Sequence, residues 1–323
     1  MRFIQIQDLY FLSVIALLKA VGLFYSSKPK EFVAVAVASA AYHVLRKKRR
    51  LAEKNLSQVF DEKLGKEQKR KIAKGSFYEL WREIFSLSLS GAEKALFKSI
   101  ELRGVGHLCG ALKAGKGVIL WESGFFGRRN LAKQILHENG FLIHQVHGEN
   151  HLGGFINSGV SATWVRHRII KPFFETCEKR FVQQIVYLPD SDSLIFTRRL
   201  LNLLKQNAIV CVTSDTQFGQ RLIPLKFLGR TRFFATGMIS LAKISGASIL
   251  PMFCIQERDG KTSLIIERPV QIENMDRERG LEDSVAQYAD LLESYVKRHP
   301  EKYRNWHFLD EVSYNRNHNQ GLD

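Results

Sequence analysis

Residues 118–129 of the chain read VILWESGFFGRR, and this stretch decides the fold. Its first four residues, Val118 to Trp121, form an apolar run of the length and composition of a buried β-strand. A glycine-containing loop follows, and the pattern is helical from Arg128 to Leu136. A buried strand that leads through a short loop into a helix is the unit from which α/β proteins are built. The stretch therefore predicts one strand of an α/β sheet and one helix that covers it.

The same alternation continues along the chain after Gly104. Further short apolar runs are separated by helical stretches such as Leu194 to Leu204, and they lie at 141–146, 184–188, 209–212 and 248–255. Strands that alternate with helices favour a largely parallel sheet covered by helices. Thr262 to Glu267 is expected to add an antiparallel neighbour, because Arg258-Asp259-Gly260-Lys261 contains the Asp-Gly pair of a hairpin turn. The predicted fold class is α/β.

The amino-terminal segment is apolar. Leu9 to Tyr25 is a run shorter than the roughly 20 residues that span a bilayer. A second run, Phe32 to Leu45, leads into the basic cluster Arg46 to Arg50. We expect a retained membrane-associated helix with the basic cluster at anionic headgroups, rather than a cleaved signal peptide, because the start is not strongly basic. The alternative is a buried hairpin followed by a solvated charged turn.

Three regions are predicted along the chain. Residues 1–45 form the membrane-associated segment. Residues 46–310 form one α/β domain, which opens with a helical lead-in because apolar residues recur at three-to-four spacing between Lys47 and Phe97. Residues 311–323 form a polar tail that is expected to fray.

The chain is strongly basic, with 48 Lys and Arg against 32 Asp and Glu and a formal net charge of +16. This balance indicates an anionic partner such as membrane headgroups, an acidic carrier protein or nucleic acid. Nucleic acid ranks far below the others, since the sequence has neither a recognition motif nor interleaved aromatic and basic residues. The cysteines lack metal-type spacing, which predicts reduced thiols and no zinc site; they are Cys109, Cys177, Cys211 and Cys254.

Glu122 is the first candidate for a catalytic role, because reactive groups gather at the carboxyl ends of the strands in open α/β sheets. It would serve as a base only if burial beside Trp121 and Phe125 raised its pKa. The alternative is that Glu122 pairs with Arg128 or Arg129 and merely closes the loop.

Histidines in and after the next strand are the second group of candidates. His144 and His147 lie where the strand 141–146 ends and are candidates for a catalytic base, and His147 and His151 could reach the same edge of the sheet as Glu122. His147 and His151 have a metal-ligand spacing only if the loop between them is helical, and Gly148 disfavours that. The sequence therefore predicts no metal site here.

Several segments in combination resemble the lysophospholipid acyltransferase superfamily, and within it the branch that acylates lipid A. The resemblance runs from about Arg46 to Phe308, and each segment alone would be weak. The segments are Asn55-Leu56, 118–129, Ser214-Asp215, Pro224 to Arg230, Phe234 to Lys243, Gly246 to Phe253 and His299 to Phe308.

The resemblance implies a catalytic loop from which the usual residues are missing. In that family the loop after the strand carries a histidine and, after four intervening residues, an aspartate or glutamate. These positions fall on Glu122 and Gly127, so Glu122, His144 or His147 would have to assist proton removal.

Substrate-binding residues also follow from the resemblance. Arg128, Arg129 and Arg230 would hold a phosphate or headgroup, and Asp215 would lie on the substrate side. Backbone N–H groups near Gly124 or in the segment Phe227-Leu228-Gly229 would stabilise an oxyanion.

The implied protein is a membrane-associated acyltransferase at the cytoplasmic face of the bacterial inner membrane. It would move a fatty acyl chain from an acyl carrier protein or coenzyme A thioester to a hydroxyl or amine of a lipid or glycolipid, without a cofactor. The alternative is a catalytically degenerate relative that binds lipid or acyl carrier protein without turnover, which the loss of both usual catalytic residues supports.

Overall fold

The computed structural model describes residues 3–23, 27–88, 97, 100–148, 163–188, 193–215, 221–257, 260–272 and 278–309. Its helices are α1 (Ile6–Gly22), α2 (Ser27–Val44), α3 (Arg46–Phe60), α4 (Lys66–Ser86), α5 (Val105–Lys113), α6 (Arg129–Glu138), α7 (Lys171–Glu178), α8 (Ser193–Lys205), α9 (Gly237–Ser245) and α10 (Glu278–Arg298). Its strands are β1 (Glu101–Arg103), β2 (Val118–Glu122), β3 (Ile143–Gly148), β4 (Gln184–Leu188), β5 (Ile209–Thr213), β6 (Leu222–Phe227), β7 (Arg230–Ala235), β8 (Ser248–Gln256) and β9 (Thr262–Ile266).

A seven-stranded sheet forms the centre of the molecule, in the order β1-β9-β8-β2-β5-β3-β4. Every neighbouring pair is parallel except β8 and β9, which pair antiparallel. The largely parallel α/β sheet predicted from the sequence is confirmed, and so is the antiparallel position of β9. Two of the turn residues proposed to connect β8 and β9, Arg258 and Asp259, lie outside the described residues. The sequence did not predict β1, because three residues are too few to show a period.

Strands β6 and β7 form a separate antiparallel hairpin. The residues between them, Leu228 and Gly229, have φ angles of 53° and 74°. Positive φ at both central residues is the requirement of a two-residue hairpin turn that matches strand twist. The resembling segments Pro224 to Arg230 and Phe234 to Lys243 therefore form parts of a hairpin and of α9, which follows it.

Alternating residues of β2 divide the core into two layers. Ile119 and Trp121 face one side of the sheet, in a cluster that includes Tyr288 of α10. Val118 and Leu120 face the other side, in a cluster that includes Leu131 and other α6 residues. Because Glu122 continues the second set, its side chain lies on the α6 face.

The predicted helical lead-in is confirmed by α3 and α4, while most of residues 89–99 are outside the described part. Helix α1 packs its inner face, which includes Phe11 and Leu18, into a cluster with Trp81 of α4 and Phe174 of α7. Asp8 anchors this helix, because its Oδ1 lies 2.8 Å from the guanidinium of Arg166 and both residues are buried.

Within the part of the chain that the structure describes, no helix combines the length and the apolar character needed to cross a membrane. The membrane association of residues 1–45 and the boundaries of the three regions stay predictions.

Candidate functional site

The carboxyl ends of β2, β3 and β5 meet at one edge of the sheet. Glu122 ends β2, His147 lies near the end of β3, and Ser214-Asp215 directly follows β5. The backbone holds these ends together, since the amide of Ser214 donates to the carbonyl oxygen of Glu122 at 2.8 Å. Parallel strands bring their carboxyl ends to a common edge, which is why residues far apart in the sequence converge here.

Glu122 is buried and lies among cations. Its side chain is 1% exposed, and its Oε1 is 3.7 Å from Lys133 Nζ and 3.8 Å from an Arg129 nitrogen. The amide of Gln145 donates to the same oxygen at 3.4 Å. The sequence left open that Glu122 forms an ion pair with Arg129 instead of acting as a base, and the structure contains this ion pair. A catalytic role of Glu122 stays a prediction.

Gly127 occupies the position where the resemblance implies an acidic residue. Its φ is +67°, and a Cβ built there would lie 2.5 Å from the carbonyl oxygen of Cys254. Its N–H donates to the carbonyl oxygen of Lys302 at 3.1 Å. The backbone around Gly127 therefore leaves no room for a carboxylate side chain.

A segment near the carboxyl terminus, residues 300–309, packs against the loop 123–128. The Arg304 guanidinium donates to the carbonyl oxygen of Gly124 at 2.9 Å, and the Arg304 amide donates to that of Phe125 at 2.8 Å. Burial lowers the pKa of Arg304, an effect that Glu83 opposes. Phe126 is buried against Phe253. The loop is thus fixed by backbone and side-chain bonds on its outer side.

Asp215 orders the same loop from inside. Its two carboxylate oxygens accept hydrogen bonds from Ser123 Oγ and from the Gly124 amide, each at 2.5 Å. The Ser123 oxygen in turn accepts from the Phe125 and Phe126 amides at 3.1 and 3.0 Å. Burial raises the pKa of Asp215, and the bonds from Ser123 and Gly124 oppose that rise. Asp215 therefore supports the loop, and its predicted contact with substrate stays a prediction.

His147 and Glu122 lie on the same face of the sheet and are connected through other residues. The His147 Nε2 is 2.6 Å from Glu178 Oε2. The other oxygen of Glu178 accepts from Lys133 Nζ at 3.0 Å, and Lys133 also donates to Gln145 Oε1 at 2.9 Å. Burial would lower the pKa of Lys133, but the carboxylates of Glu122 and Glu178 raise it above its ordinary value.

His144 does not join this group. Its neighbours in the strand, Ile143 and Gln145, point to the α6 face, so His144 points to the opposite face. Burial lowers the pKa of His144, with Gln184 opposing. His144 Nδ1 is buried and has no hydrogen-bond partner among the described residues.

The three arginines predicted to bind a phosphate or headgroup differ in their burial and in their partners. Arg129 is buried, with one nitrogen donating to Thr213 Oγ1 at 3.3 Å and Nε at 3.5 Å from Glu83. Arg230 reaches Asn55 and Gln58 of α3. Arg128 is only partly buried, and its Nε has no hydrogen-bond partner among the described residues.

Two of the proposed oxyanion donors already have acceptors. The Leu228 amide, within the segment that contains Phe227 and Gly229, donates to Glu293 Oε2 at 2.6 Å. The Gly124 amide donates to Asp215. A substrate oxygen would have to displace these carboxylates to use either donor.

Sequence reasoning missed Lys133 and Glu178, which connect the predicted residues. Lys133 follows Arg129 by four positions, so both project from the same face of α6. Periodicity around Leu131 and Ile135 places Lys133 on the opposite side of the helix, so it did not predict the burial of Lys133, and no local signal identifies Glu178 as the partner of His147.

Metal ligation has no support in the described residues, among which no group of three or more His, Cys, Asp or Glu is arranged to hold an ion. His151 lies outside them. The four cysteines are unpaired, and Cys211 and Cys254 are buried in β5 and β8.

A largely parallel covered sheet with polar residues at its carboxyl edge defines the class of α/β proteins that bind their ligands at that edge. The chain belongs to the bacterial lipid A biosynthesis acyltransferase family, whose model matches residues 4–152 and 159–309. No curated protein matches the chain in sequence. The family confirms the resemblance, and the replacement of its usual catalytic residues remains an inference from the sequence.

Proposed function

We propose that this protein transfers a fatty acyl chain from a thioester donor to a hydroxyl or amine of a lipid or glycolipid. The match to lipid A biosynthesis acyltransferases over nearly the whole chain carries the proposal. The acceptor oxygen or nitrogen attacks the thioester carbonyl carbon, the C–S bond breaks, and a base takes the acceptor's proton and returns it to the sulfur. Glu122, His144 and His147 remain the candidates for that base, and no cofactor is required.

The donor in this proposal is an acyl carrier protein or coenzyme A. Both are anionic, and the exposed surface of α3 and the start of α4 is strongly basic. Its exposed cations are Arg46, Lys47, Lys48, Arg50, Lys54, Lys66, Arg70 and Lys71. Such a surface accelerates encounter with an acidic partner and weakens in salt.

Membrane association is part of the proposal. The outer face of α1 carries no acidic residue, and its Ile6 and Leu9 are 87% and 56% exposed. Phe32 on α2 is 75% exposed. The exposed face of α1 also carries Ser13 and Lys19 but is otherwise largely apolar, and a helix that is apolar over most of its circumference favours an apolar environment outside the protein. The basic cluster Arg46 to Arg50 begins two residues after the end of α2. Its positive charge suits binding to anionic headgroups on the cytoplasmic face of the bacterial inner membrane.

A second candidate function is favoured by the loop geometry. Glu122 is ion-paired, Gly127 has no space for a carboxylate, and Arg304 closes the loop from outside. A relative that binds acyl carrier protein or lipid without turnover would tolerate all three features.

Thioester release by the purified full-length protein separates the two functions. Acyl carrier protein and coenzyme A donors would be supplied in turn, with a bacterial lipid extract as acceptor. Release coupled to a new acylated lipid supports acyl transfer. Donor or lipid binding with no release supports the second candidate.

Single variants then test the site. Loss of turnover with an unchanged circular-dichroism spectrum in His147→Ala, His144→Ala or Glu122→Gln identifies the residues involved, with His137→Ala at the end of α6 as a matched histidine control. If all three variants keep wild-type turnover, the proposed site is wrong.

A further inference from the structure

We infer that Glu178 is the positioning carboxylate that orients the His147 imidazole for proton transfer. This inference rests on the proposed acyl transfer. Glu178 lies outside the loop after β2. It would take the role of the acidic residue that the family has at the position of Gly127.

The geometry of the pair is that of an oriented base. His147 Nε2 and Glu178 Oε2 are 2.6 Å apart, and the two side chains are 4% and 3% exposed. A carboxylate held against one ring nitrogen fixes the tautomer and the direction of the ring. With Nε2–H donating to Glu178, the neutral ring carries its lone pair on Nδ1.

Glu178 is itself fixed from a second direction. Its Oε1 accepts from Lys133 Nζ at 3.0 Å, so each carboxylate oxygen has a different partner. Lys133 is completely buried and also donates to Gln145 of β3, the strand that carries His147. The carboxylate is therefore held by both the cation and the imidazole.

The pair joins three elements at the carboxyl edge of the sheet. His147 comes from β3, Glu178 ends α7, and Lys133 lies in α6, the helix that follows the loop after β2. Lys133 Nζ is also 3.7 Å from Glu122 Oε1. Glu122 thereby offsets the charge of Lys133. The His147 imidazole and Glu178 lie on the same face of the sheet, on the other side of Lys133 from Glu122.

The arrangement accounts for both departures from the family pattern. At position 127 a side chain would collide with the Cys254 carbonyl, so no carboxylate can come from that position. At position 122 a glutamate stands beside Arg129 and Lys133. His147 on β3 and Glu178 on α7 instead form a histidine–carboxylate pair, at positions of the sequence different from those of the family.

The proposed step balances as follows. His147 Nδ1 takes the proton of the acceptor hydroxyl as its oxygen forms a bond to the thioester carbonyl carbon. The C–S bond breaks, and the leaving thiolate takes that proton from the imidazolium. Glu178 stays ionised throughout and stabilises the cationic ring.

Steady-state kinetics of Glu178→Gln, Glu178→Asp and the control Glu175→Gln test the inference. Glu175 is on the same helix and accepts from the Tyr187 hydroxyl instead. We expect Glu178→Gln to lower kcat about 10²- to 10⁴-fold with KM changed less than about threefold. Glu178→Asp should recover part of kcat, and Glu175→Gln should match wild type.

Nitrogen NMR of the imidazole rings provides a readout that does not depend on turnover. The wild-type spectrum should show His147 as the Nε2–H tautomer, with that preference lost in Glu178→Gln. Wild-type kcat in Glu178→Gln, or an unchanged tautomer, overturns the inference while leaving acyl transfer intact. Absence of turnover in the wild-type protein with every donor overturns the proposed function and, with it, the catalytic role of the pair.

Discussion

A Cβ at Gly127 would lie 2.5 Å from the carbonyl oxygen of Cys254 on the neighbouring strand β8. The same carbonyl accepts the Arg128 amide at 2.8 Å, so the close approach of the loop to β8 is stabilised by a backbone hydrogen bond. The loop can therefore pass this close to β8 only with glycine at position 127.

Replacement of Gly127 by alanine should destabilise the protein far more than the same change at Gly229. Both glycines have positive φ, but a Cβ at Gly229 meets nothing within 4 Å. We expect about 1–2 kcal/mol for Gly229→Ala and about 2–5 kcal/mol for Gly127→Ala, because only the second adds a collision. Chemical denaturation measures both. Equal losses would mean that the loop relaxes freely away from β8.

Neutralising Glu122 should cost about 1–3 kcal/mol of unfolding free energy, since it removes one of the two carboxylates beside each of the buried cations Lys133 and Arg129, which keep Glu178 and Glu83. Glu122→Gln keeps the shape of the side chain. Adding Lys133→Met should restore part of the loss. Lys179→Met is the control, because Lys179 is 60% exposed and its pairing with Glu175 should contribute at most about 0.5 kcal/mol. Additive losses in the double variant would show that Glu122 and Lys133 are not coupled.

Stability should fall in acid because of His307. Burial, and then Lys48, lower the pKa of His307 from 6.5 to about 4. The unfolded chain takes up the proton first, so this contribution is present above pH 6.5 and is lost as the pH falls towards 4. The shift corresponds to roughly 3 kcal/mol.

His307→Phe is the variant that checks this dependence, since it keeps an aromatic ring beside Phe77 and removes the titration. Unfolding free energies of the two proteins would be compared across the pH range. The wild type should lose stability relative to the variant between pH 6.5 and 4. Parallel curves over that window would contradict the assignment.

Charged substitutions on the outer face of α1 should weaken binding to anionic lipid vesicles. Ile6→Glu and Leu9→Glu replace side chains that are 87% and 56% exposed, so neither should unfold the protein. Each should weaken vesicle binding by about tenfold, the equivalent of one lost apolar side chain at the interface. Co-sedimentation with vesicles measures the effect. Ile244→Glu, at a 68% exposed position on α9, is the matched control, and an equal loss there would exclude a specific role of α1.

Local patterns were sufficient to predict much of the sheet. The apolar runs at 118–121, 184–188 and 209–212 became β2, β4 and β5. Strands β2 and β5 are apolar over these runs because both of their faces are buried, whereas β4 lies at the edge of the sheet and is only partly buried. The hairpin residues before Thr262 likewise predicted the antiparallel β9. The β6–β7 hairpin was missed because Leu228 at positive φ gives no turn signal of its own.

The candidate site was predictable only in part. Glu122 and His147 could be assigned to one edge of the sheet, because each ends a parallel strand. Their surroundings could not be predicted, because Glu178 reaches His147 from α7 and Arg304 reaches the Gly124 carbonyl from a segment about 180 residues further along the chain.

The sequence by itself determined the α/β class, the strands that build the central sheet and the family, since these follow from periodicity and from motifs along the chain. Tertiary structure alone decided that Glu122 stands beside Lys133, that His147 stands beside Glu178 and that no side chain fits at Gly127. These relationships depend on the packing of distant elements, and burial among specific charges is a property of that packing rather than of any local stretch of sequence.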